Sequence, residues 1–210
     1  MGRYTGPGCR LCRREGKKLF LKGTRCYMAK CPIERERPVP GMHGMGRRRR
    51  KDTDYGVQLR EKQRLRRQYG MQEKQFRLFF KRVVHKRGMT GELLLQMLES
   101  RLDNIVYRLG FAPSRNAARQ YVTHNHVMVD GKRAAVPSMI VKAGSVVQVK
   151  DRPKSRELAR QSMEVTDGRG LSVWLERDDT SFSGTYARIP TREEIAPIVD
   201  EQLVVELYSR

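Results

Sequence analysis

The spacing of apolar residues changes along the chain, and each change predicts an element. Phe76, Phe79, Phe80, Val83 and Val84 follow the i, i+3, i+4, i+7, i+8 spacing of a helix with one buried face, and Gly88 ends it. This aromatic stripe reads as core rather than as a base-stacking surface. Leu94, Leu98, Leu102, Ile105 and Leu109 keep the same period, so a further helix is expected from Thr90, placed to cap it, to about Leu109. On another face of that helix Arg101, Asn104 and Arg108 stand three and four residues apart and can reach one partner together. Ala112-Pro113 breaks the pattern, and Ser114 is placed to cap a short helix through Val122. Ala117, Ala118, Tyr121 and Val122 face inward on it, with Arg115 and Arg119 outward. Upstream, residues 54–69 are helix-forming but mostly charged, with Tyr55, Leu59 and Tyr69 as a thin apolar stripe and Gly70 as the stop.

From His126 the period falls to two. His126-Val127-Met128-Val129 and Arg133-Ala134-Ala135-Val136 flank Asp130-Gly131, a hairpin signal because Gly tolerates positive φ. Residues 145–150 read as another short strand, so 92–150 form a compact helix–helix–hairpin–strand unit with basic residues on its polar faces. Residues 155–163 are expected to be helical and 171–189 to hold a strand pair around 178–184. Thr191 and Glu194 match a capping box that Pro197 limits to a turn or two. Residues 203–208 are ambiguous between helix and strand. Residues 1–45 are rich in Gly, Pro and Cys and show little periodicity, and after Cys31 the prolines and glycines disfavour any regular element. They read as a small extension that takes its order from a ligand or partner. The expected fold class is α+β with a small, mostly antiparallel sheet.

Charge narrows the partner. Lys and Arg number 44 against 23 Asp and Glu, a formal net charge of +21, which points to a polyanion and away from a typical metabolic enzyme. The first fifty residues carry 15 of the cations and 3 of the acids, whereas the last sixty carry 9 and 12. The polyanion-facing surface is therefore expected in the first 150 residues, leaving the acidic tail for packing or a basic protein neighbour. No apolar run reaches the roughly 20 residues a bilayer requires, and the start lacks the apolar stretch of a secretory signal. A reducing cytosol follows as the expected compartment, in which cysteines are read as metal ligands before disulfides.

Cys9-x2-Cys12 and, thirteen residues on, Cys26-x4-Cys31 let four thiolates converge tetrahedrally, the geometry zinc accepts most readily. Arg10, Arg13, Arg14, Arg25 and Lys30 would offset the negative charge of such a centre. One structural Zn2+ is the leading reading; free thiols, disulfides and an iron–sulfur cluster are the alternatives. A catalytic zinc is disfavoured, because four thiolates leave no position for water.

Arg47, Arg48, Arg49, Arg50 and Lys51 form an unbroken basic run. Between a Pro/Gly-rich stretch and a basic helix, it reads as a phosphate-binding segment more readily than as a solvated arm or localisation tag. The chain lacks the heptads of a basic zipper and the paired histidines of a common zinc finger, and exposed aromatics are scarce. Shape and backbone recognition of folded RNA fits better than DNA reading. His124 and His126 could contact RNA, although turn or surface roles are commoner for such residues. No phosphate-binding glycine loop, serine nucleophile elbow or paired-carboxylate motif is present, so no enzyme activity and no small-molecule substrate are expected.

The stretch Arg101-Leu102-Asp103-Asn104-Ile105-Val106-Tyr107-Arg108-Leu109-Gly110-Phe111, with Ala118-Arg119-Gln120-Tyr121-Val122-Thr123-His124, resembles the RNA-binding module named after protein four of the small ribosomal subunit. That module also occurs in pseudouridine synthases, some aminoacyl-tRNA synthetases and heat-shock RNA-binding proteins. The segment Asp54-Tyr55-Gly56-Val57-Gln58-Leu59-Arg60-Glu61-Lys62-Gln63, the opening Gly-Arg-Tyr-Thr-Gly-Pro and the ending Val205-Glu206-Leu207-Tyr208-Ser209-Arg210 are similar to the bacterial ribosomal family itself, over essentially the whole chain. The resemblance implies a structural constituent of the small subunit that binds the 5′ domain of 16S rRNA early and nucleates assembly. It also implies contacts with mRNA at the entry channel, where the matching place is Arg47 to Lys51, and with neighbouring small-subunit proteins three and five, the latter influencing decoding accuracy.

The family layout implies three parts. A zinc-binding extension spans 1–45, a helical domain 46–91 is completed by 190–210, and an RNA-binding domain with the sheet is inserted at 92–189. The tail then becomes a helix packed on 54–90. All four cysteine positions are filled, as in the family's zinc-bearing subtype. The candidate RNA-contacting residues are Arg47, Arg48, Arg49, Arg50, Lys51, Arg60, Lys62, Arg101, Asn104, Arg108, Arg115, Arg119, Gln120, His124, Lys132 and Arg133. The competing reading is a free-standing RNA-binding regulator or ribosome assembly factor built on the same module.

Overall fold

A computed structural model of the chain describes residues 2–42, 44, 53–195 and 199–209. In chain order its elements are α1 (Gly8–Glu15), a 3-10 turn (Gly23–Cys26), α2 (Asp54–Gln68), α3 (Glu73–Val84), α4 (Thr90–Glu99), α5 (Leu102–Arg108), α6 (Arg115–Thr123), β1 (Val127–Val129), β2 (Lys132–Arg133), β3 (Val146–Val149), α7 (Pro153–Thr166), a second 3-10 turn (Asp167–Arg169), β4 (Leu175–Asp178), β5 (Ser183–Tyr186) and α8 (Glu201–Ser209). They fall into two compact units, residues 1–95 with 196–210 and residues 96–195, with the boundary inside α4.

In the first unit α2 starts where the Thr53 hydroxyl accepts from the Gly56 amide at 3.2 Å, and it stops before Gly70, which has φ 63°. Its buried face differs from the expected stripe. Gln58, Glu61, Lys62, Leu65 and Gln68 point inward while Tyr55 is exposed, because polar partners wait on neighbouring elements. The α3 face is as expected at Phe76, Phe79, Phe80 and Val83, but Val84 is exposed where the helix ends. The ambiguous tail is the helix α8. Tyr208 stacks on Phe80 with ring centroids 4.5 Å apart, and its hydroxyl donates to Glu73 at 3.0 Å. Gln58 donates to Glu206 at 2.9 Å, so α8 closes onto α2 and α3 through both apolar and polar contacts.

Helix α1 is an element that periodicity did not reveal. Its last residue, Glu15, is buried and pairs with Arg60 at 3.3 Å, with Arg64 at 3.9 Å and with Arg67. Leu19, just beyond, is fully buried. These contacts are a source of order in the extension that its composition did not announce. From Cys31 to residue 44 no helix or strand occurs among the described residues, in line with the prolines and glycines there.

The second unit holds a five-stranded sheet in the order β2-β1-β3-β5-β4, antiparallel throughout. Its first hairpin turns through Asp130 and Gly131, both at positive φ (49° and 74°), which closes Val129 against Lys132 with the twist the strands need. β2 is shorter than expected, ending at Arg133. Leu102, Ile105, Val106 and Leu109 of the α5 region and Ala118 and Val122 of α6 pack with Val127, Val147, Val149, Trp174, Leu175 and Tyr186 into one apolar cluster. Gly184 sits where any side chain would collide with Leu109, its built Cβ falling 2.4 Å from a leucine methyl. Ser114 caps α6, its hydroxyl accepting from the Ala117 amide at 3.2 Å.

The helix expected from Thr90 to Leu109 is two helices. Between α4 and α5, Arg101 is extended (φ −71°, ψ 139°) and bridges Ile140, which resets the helical register. Thr90 is the first helical residue rather than a residue outside the helix capping it.

Candidate nucleic-acid interface

The register break redirects the side chains expected to reach RNA together. Arg101 is 0 % exposed and Asn104 1 %, so the outward placement inferred for them is corrected. Arg101 makes a two-pronged contact with Asp103, Nε to Oδ1 at 3.0 Å and Nη2 to Oδ2 at 2.5 Å. The Asn104 amide donates to Glu99 at 2.7 Å, and Arg115 donates back to the Asn104 carbonyl oxygen at 2.8 Å. Arg119 reaches Asp103 at 3.6 Å. Arg115 and Arg119 are thus mostly buried rather than on the outer face. The physical reason lies in Glu99 and Asp103, which flank the break and supply the charge that lets guanidinium groups leave water.

Arg108 keeps an edge in solvent. Its guanidinium grips Glu99 at 3.0 and 2.9 Å and lies 5.6 Å from the centre of the Trp174 ring, while its side chain stays 26 % exposed. Arg115 and Arg169 both lie over Tyr107, at 4.6 and 4.1 Å. Four arginines (101, 108, 115 and 119) thus share two carboxylates. The network ties α6 to α5 and leaves a positive surplus beside them.

Outside this network Gln120, His124, Lys132 and Arg133 are exposed, with Arg133 Nε donating to Asn125 at 2.7 Å. In the first unit Lys62 is largely buried between Glu73, at 2.6 Å, and the Tyr208 ring, at 5.7 Å. Its placement on an RNA-facing surface is therefore corrected: the salt bridge and the ring draw its ammonium inward. Arg60 is engaged by Glu15. Arg47, Arg48, Arg49, Arg50 and Lys51 lie outside the described residues.

One basic surface was missed. Lys74, Arg77 and Lys81 are exposed on α3 at i, i+3 and i+7, opposite the buried phenylalanines, and Lys86 and Arg87 follow them in the open. The signal was present in the sequence as the polar complement of the Phe76–Val83 face, a 3.6-residue stripe of cations suited to phosphates.

Cys9, Cys12, Cys26 and Cys31 line one cavity of about 10 Å3, the volume of roughly one water-sized sphere. The cavity and the all-thiol donor set suit a single metal ion. Among the described residues no three His, Cys, Asp or Glu side chains are drawn together tightly enough to hold a metal as they stand. Burial, together with the neighbouring cysteines, pushes Cys12 up to about 11 although a backbone hydrogen bond from Leu19 opposes it. No helix among the described residues is long and apolar enough to cross a membrane.

A family model described as the ribosomal protein S4/S9 N-terminal domain matches residues 3–99, and an S4 domain model matches residues 100–147. The chain is 53 % identical over 210 residues to small ribosomal subunit protein uS4 of Thermus thermophilus. It is 52 % identical to that of Geotalea daltonii and 50 % to that of Trichlorobacter lovleyi. Each of these matches covers 100 % of both chains.

Proposed function

The chain belongs to the uS4 family of small ribosomal subunit proteins, and from that premise we propose how its surfaces are used. It is a structural constituent of the small ribosomal subunit that binds rRNA, with no catalytic role, and its compartment is that of the subunit, the cytoplasm. The observation that carries this is likeness over the entire 210 residues rather than over the S4 module alone. Nothing supports the free-standing regulator or assembly factor.

In our reading the 5′ domain of 16S rRNA is the ligand, bound early so that assembly nucleates on it. Phosphates are held by the exposed cations Lys132 and Arg133 of the hairpin and Lys74, Arg77 and Lys81 of α3, with Arg108 and the edges of Arg115 and Arg119 at the module. Arg101 and Asn104 act one step back, by fixing those arginines. Such binding is electrostatic and weakens steeply with salt. The run Arg47 to Lys51 serves mRNA at the entry channel, and small-subunit proteins three and five are the neighbours, through which decoding accuracy is influenced. The division proposed for these roles is an arm at 1–45, a helical domain at 46–91 with 190–210, and an inserted RNA-binding domain at 92–189.

Zn2+ is proposed as the one cofactor, held by Cys9, Cys12, Cys26 and Cys31. The shared cavity and the nearby cations support it. When bound, the ion cross-links α1 to the turn at Gly23–Cys26 and supplies no reaction chemistry.

Sedimentation of cell extract at moderate salt tests the assignment. The protein is expected with small subunits, and recovery only in light fractions would overturn it. Binding of the purified chain to a 5′-domain transcript, compared with other rRNA domains, tests the finer reading; equal affinity for all domains would refute it.

A further inference from the structure

Between α6 and α7 lies a cleft of about 400 Å3 that the phosphate contacts do not use. Its floor is apolar, with Phe111, Ala117, Leu158 and Val165, and one wall is aromatic. Tyr121 and His126 stack at 4.8 Å with their planes 18° apart, and His124 extends the row, its ring 6.3 Å from His126. The Tyr121 and His126 rings are held in place from beneath. The Tyr121 hydroxyl donates to the Ser155 carbonyl oxygen at 2.6 Å, and His126 Nδ1 shares a 2.8 Å hydrogen bond with the Ser155 hydroxyl, Ser155 itself being fully buried. At the rim stand the exposed amides of Gln120 and Gln161 and the hydroxyl of Ser162.

We propose that this cleft is a base-binding pocket, which takes one unstacked nucleobase of the bound RNA against the His124–His126–Tyr121 row. The inference rests on the rRNA-binding reading above and adds to it a subsite for a base rather than for phosphate. Three features favour a base over an apolar protein segment. Flat rings with fixed orientation offer stacking surface without an ordering cost on binding, the usual way proteins hold splayed-out RNA bases. Side-chain amides at the rim match the hydrogen-bonding edge of a base. The surroundings also suit a nucleotide's phosphate: Arg152 and Lys154 stand near enough to disfavour protonation of His126, after burial and together with His124. Asp151 pairs with Arg156 at 3.2 Å, and Glu157 accepts from the rim amide of Gln161 at 2.8 Å, which orients that side chain. The lowered pKa of His126 favours the neutral ring, which suits stacking.

The test uses the full chain and a 5′-domain rRNA transcript. Ala117→Trp fills the cleft without changing charge, and Gln120→Ala with His124→Ala removes two exposed rim groups without disturbing the core. Each variant is expected to weaken RNA binding about tenfold, in the range of one lost base stack, while the slope of affinity against salt stays unchanged. A transcript carrying 4-thiouridine is expected to photo-crosslink within residues 120–126 or 158–165. Wild-type affinity in the rim double variant, or crosslinks confined to other segments, would overturn the pocket. Loss of transcript binding by the unaltered protein would instead refute the rRNA reading itself, so the two failures are distinguishable. Should Ala117→Trp not fold, the rim variant and the crosslink decide alone.

Discussion

In residues 96–195 the buried side chains form one apolar cluster, into which the Glu99–Asp103 network is set as a polar inclusion. In residues 1–95 with 196–210, α2 turns mainly polar side chains inward, and the cysteine-bearing α1 is tied to it through Glu15, whose carboxylate and main-chain oxygen both receive α2 arginines. Both units bury an acid among arginines, yet the surroundings differ. Of the second unit's four arginine partners Arg101, Arg115 and Arg119 are almost enclosed and Arg108 keeps 26 % of its side chain in water, while Arg60, Arg64 and Arg67 of the first unit all keep a share, 29, 19 and 20 %. A buried ion pair is costly to break in proportion to how little water can reach the partner left behind. Similar residue lists therefore give unequal energetic weights.

The largest effect expected is on the arm. Structural zinc in finger-type sites is worth on the order of 10 kcal/mol of folding free energy. Removing the metal with a strong chelator should release about one zinc per chain and abolish amide protection across α1 and the Gly23–Cys26 turn, leaving the sheet of the second unit protected. Freshly isolated, reduced protein that contains no zinc yet shows a protected arm would mean that Glu15 and Leu19 suffice.

Next come the two carboxylates. Glu99→Gln leaves the nearly enclosed Arg115 short of a counter-charge and weakens the seat of the part-exposed Arg108, and should destabilise the second unit by about 3–5 kcal/mol. Glu15→Gln should cost less, about 1–3 kcal/mol, because its arginines can rehydrate. Denaturant unfolding of both variants measures the ranking, and equal losses would show that solvent access does not set the difference.

On the outer surface, Lys74→Ala, Arg77→Ala and Lys81→Ala should leave unfolding unchanged. Each should reduce the salt slope of rRNA binding by about 1. An unaltered slope in the triple variant would remove α3 from the interface.

The smallest effect is a pH dependence of the α8 seat. Burial raises the Glu73 carboxyl, but hydrogen bonds from Lys62 and Tyr208 outweigh it and hold the group below the ordinary carboxylate value of 4.5. A carboxyl depressed on folding stabilises above its unfolded value and loses that contribution as pH falls through the folded one. Acidification should thus loosen α8 at a pH below the ordinary carboxylate range, read from Tyr208 fluorescence, and Glu73→Gln should flatten the response.

Much of the second unit was legible because its elements are amphipathic. Phe76 to Val83 in the first unit, and Ser114 to Val149 in the second, follow periods of 3.6 and 2 that persist in the structure. The Asp130-Gly131 turn could be read because two successive positive φ values demand such residues. Helix α1 was not legible, since its burial is carried by Glu15 and the cysteines rather than by an apolar stripe. The polar inward face of α2 was hidden for the same reason: Gln58, Glu61 and Lys62 are met inside by Glu206, the main-chain amide of Asp200 and Glu73.

The candidate interface divides along the same line. By residue type and spacing alone the chain determines its partner class, its cysteine set and the amphipathic faces that form its core. Which arginines reach outward was decided by the tertiary structure. A two-residue break at Ser100 and Arg101, fixed by the bridge of Arg101 to Ile140, rotated α5 and placed Arg101 and Asn104 against Glu99 and Asp103. Periodicity reports the face on which a side chain begins. Whether a charge stays in solvent depends on the opposite charge that distant chain segments bring to it, and only folding brings them together.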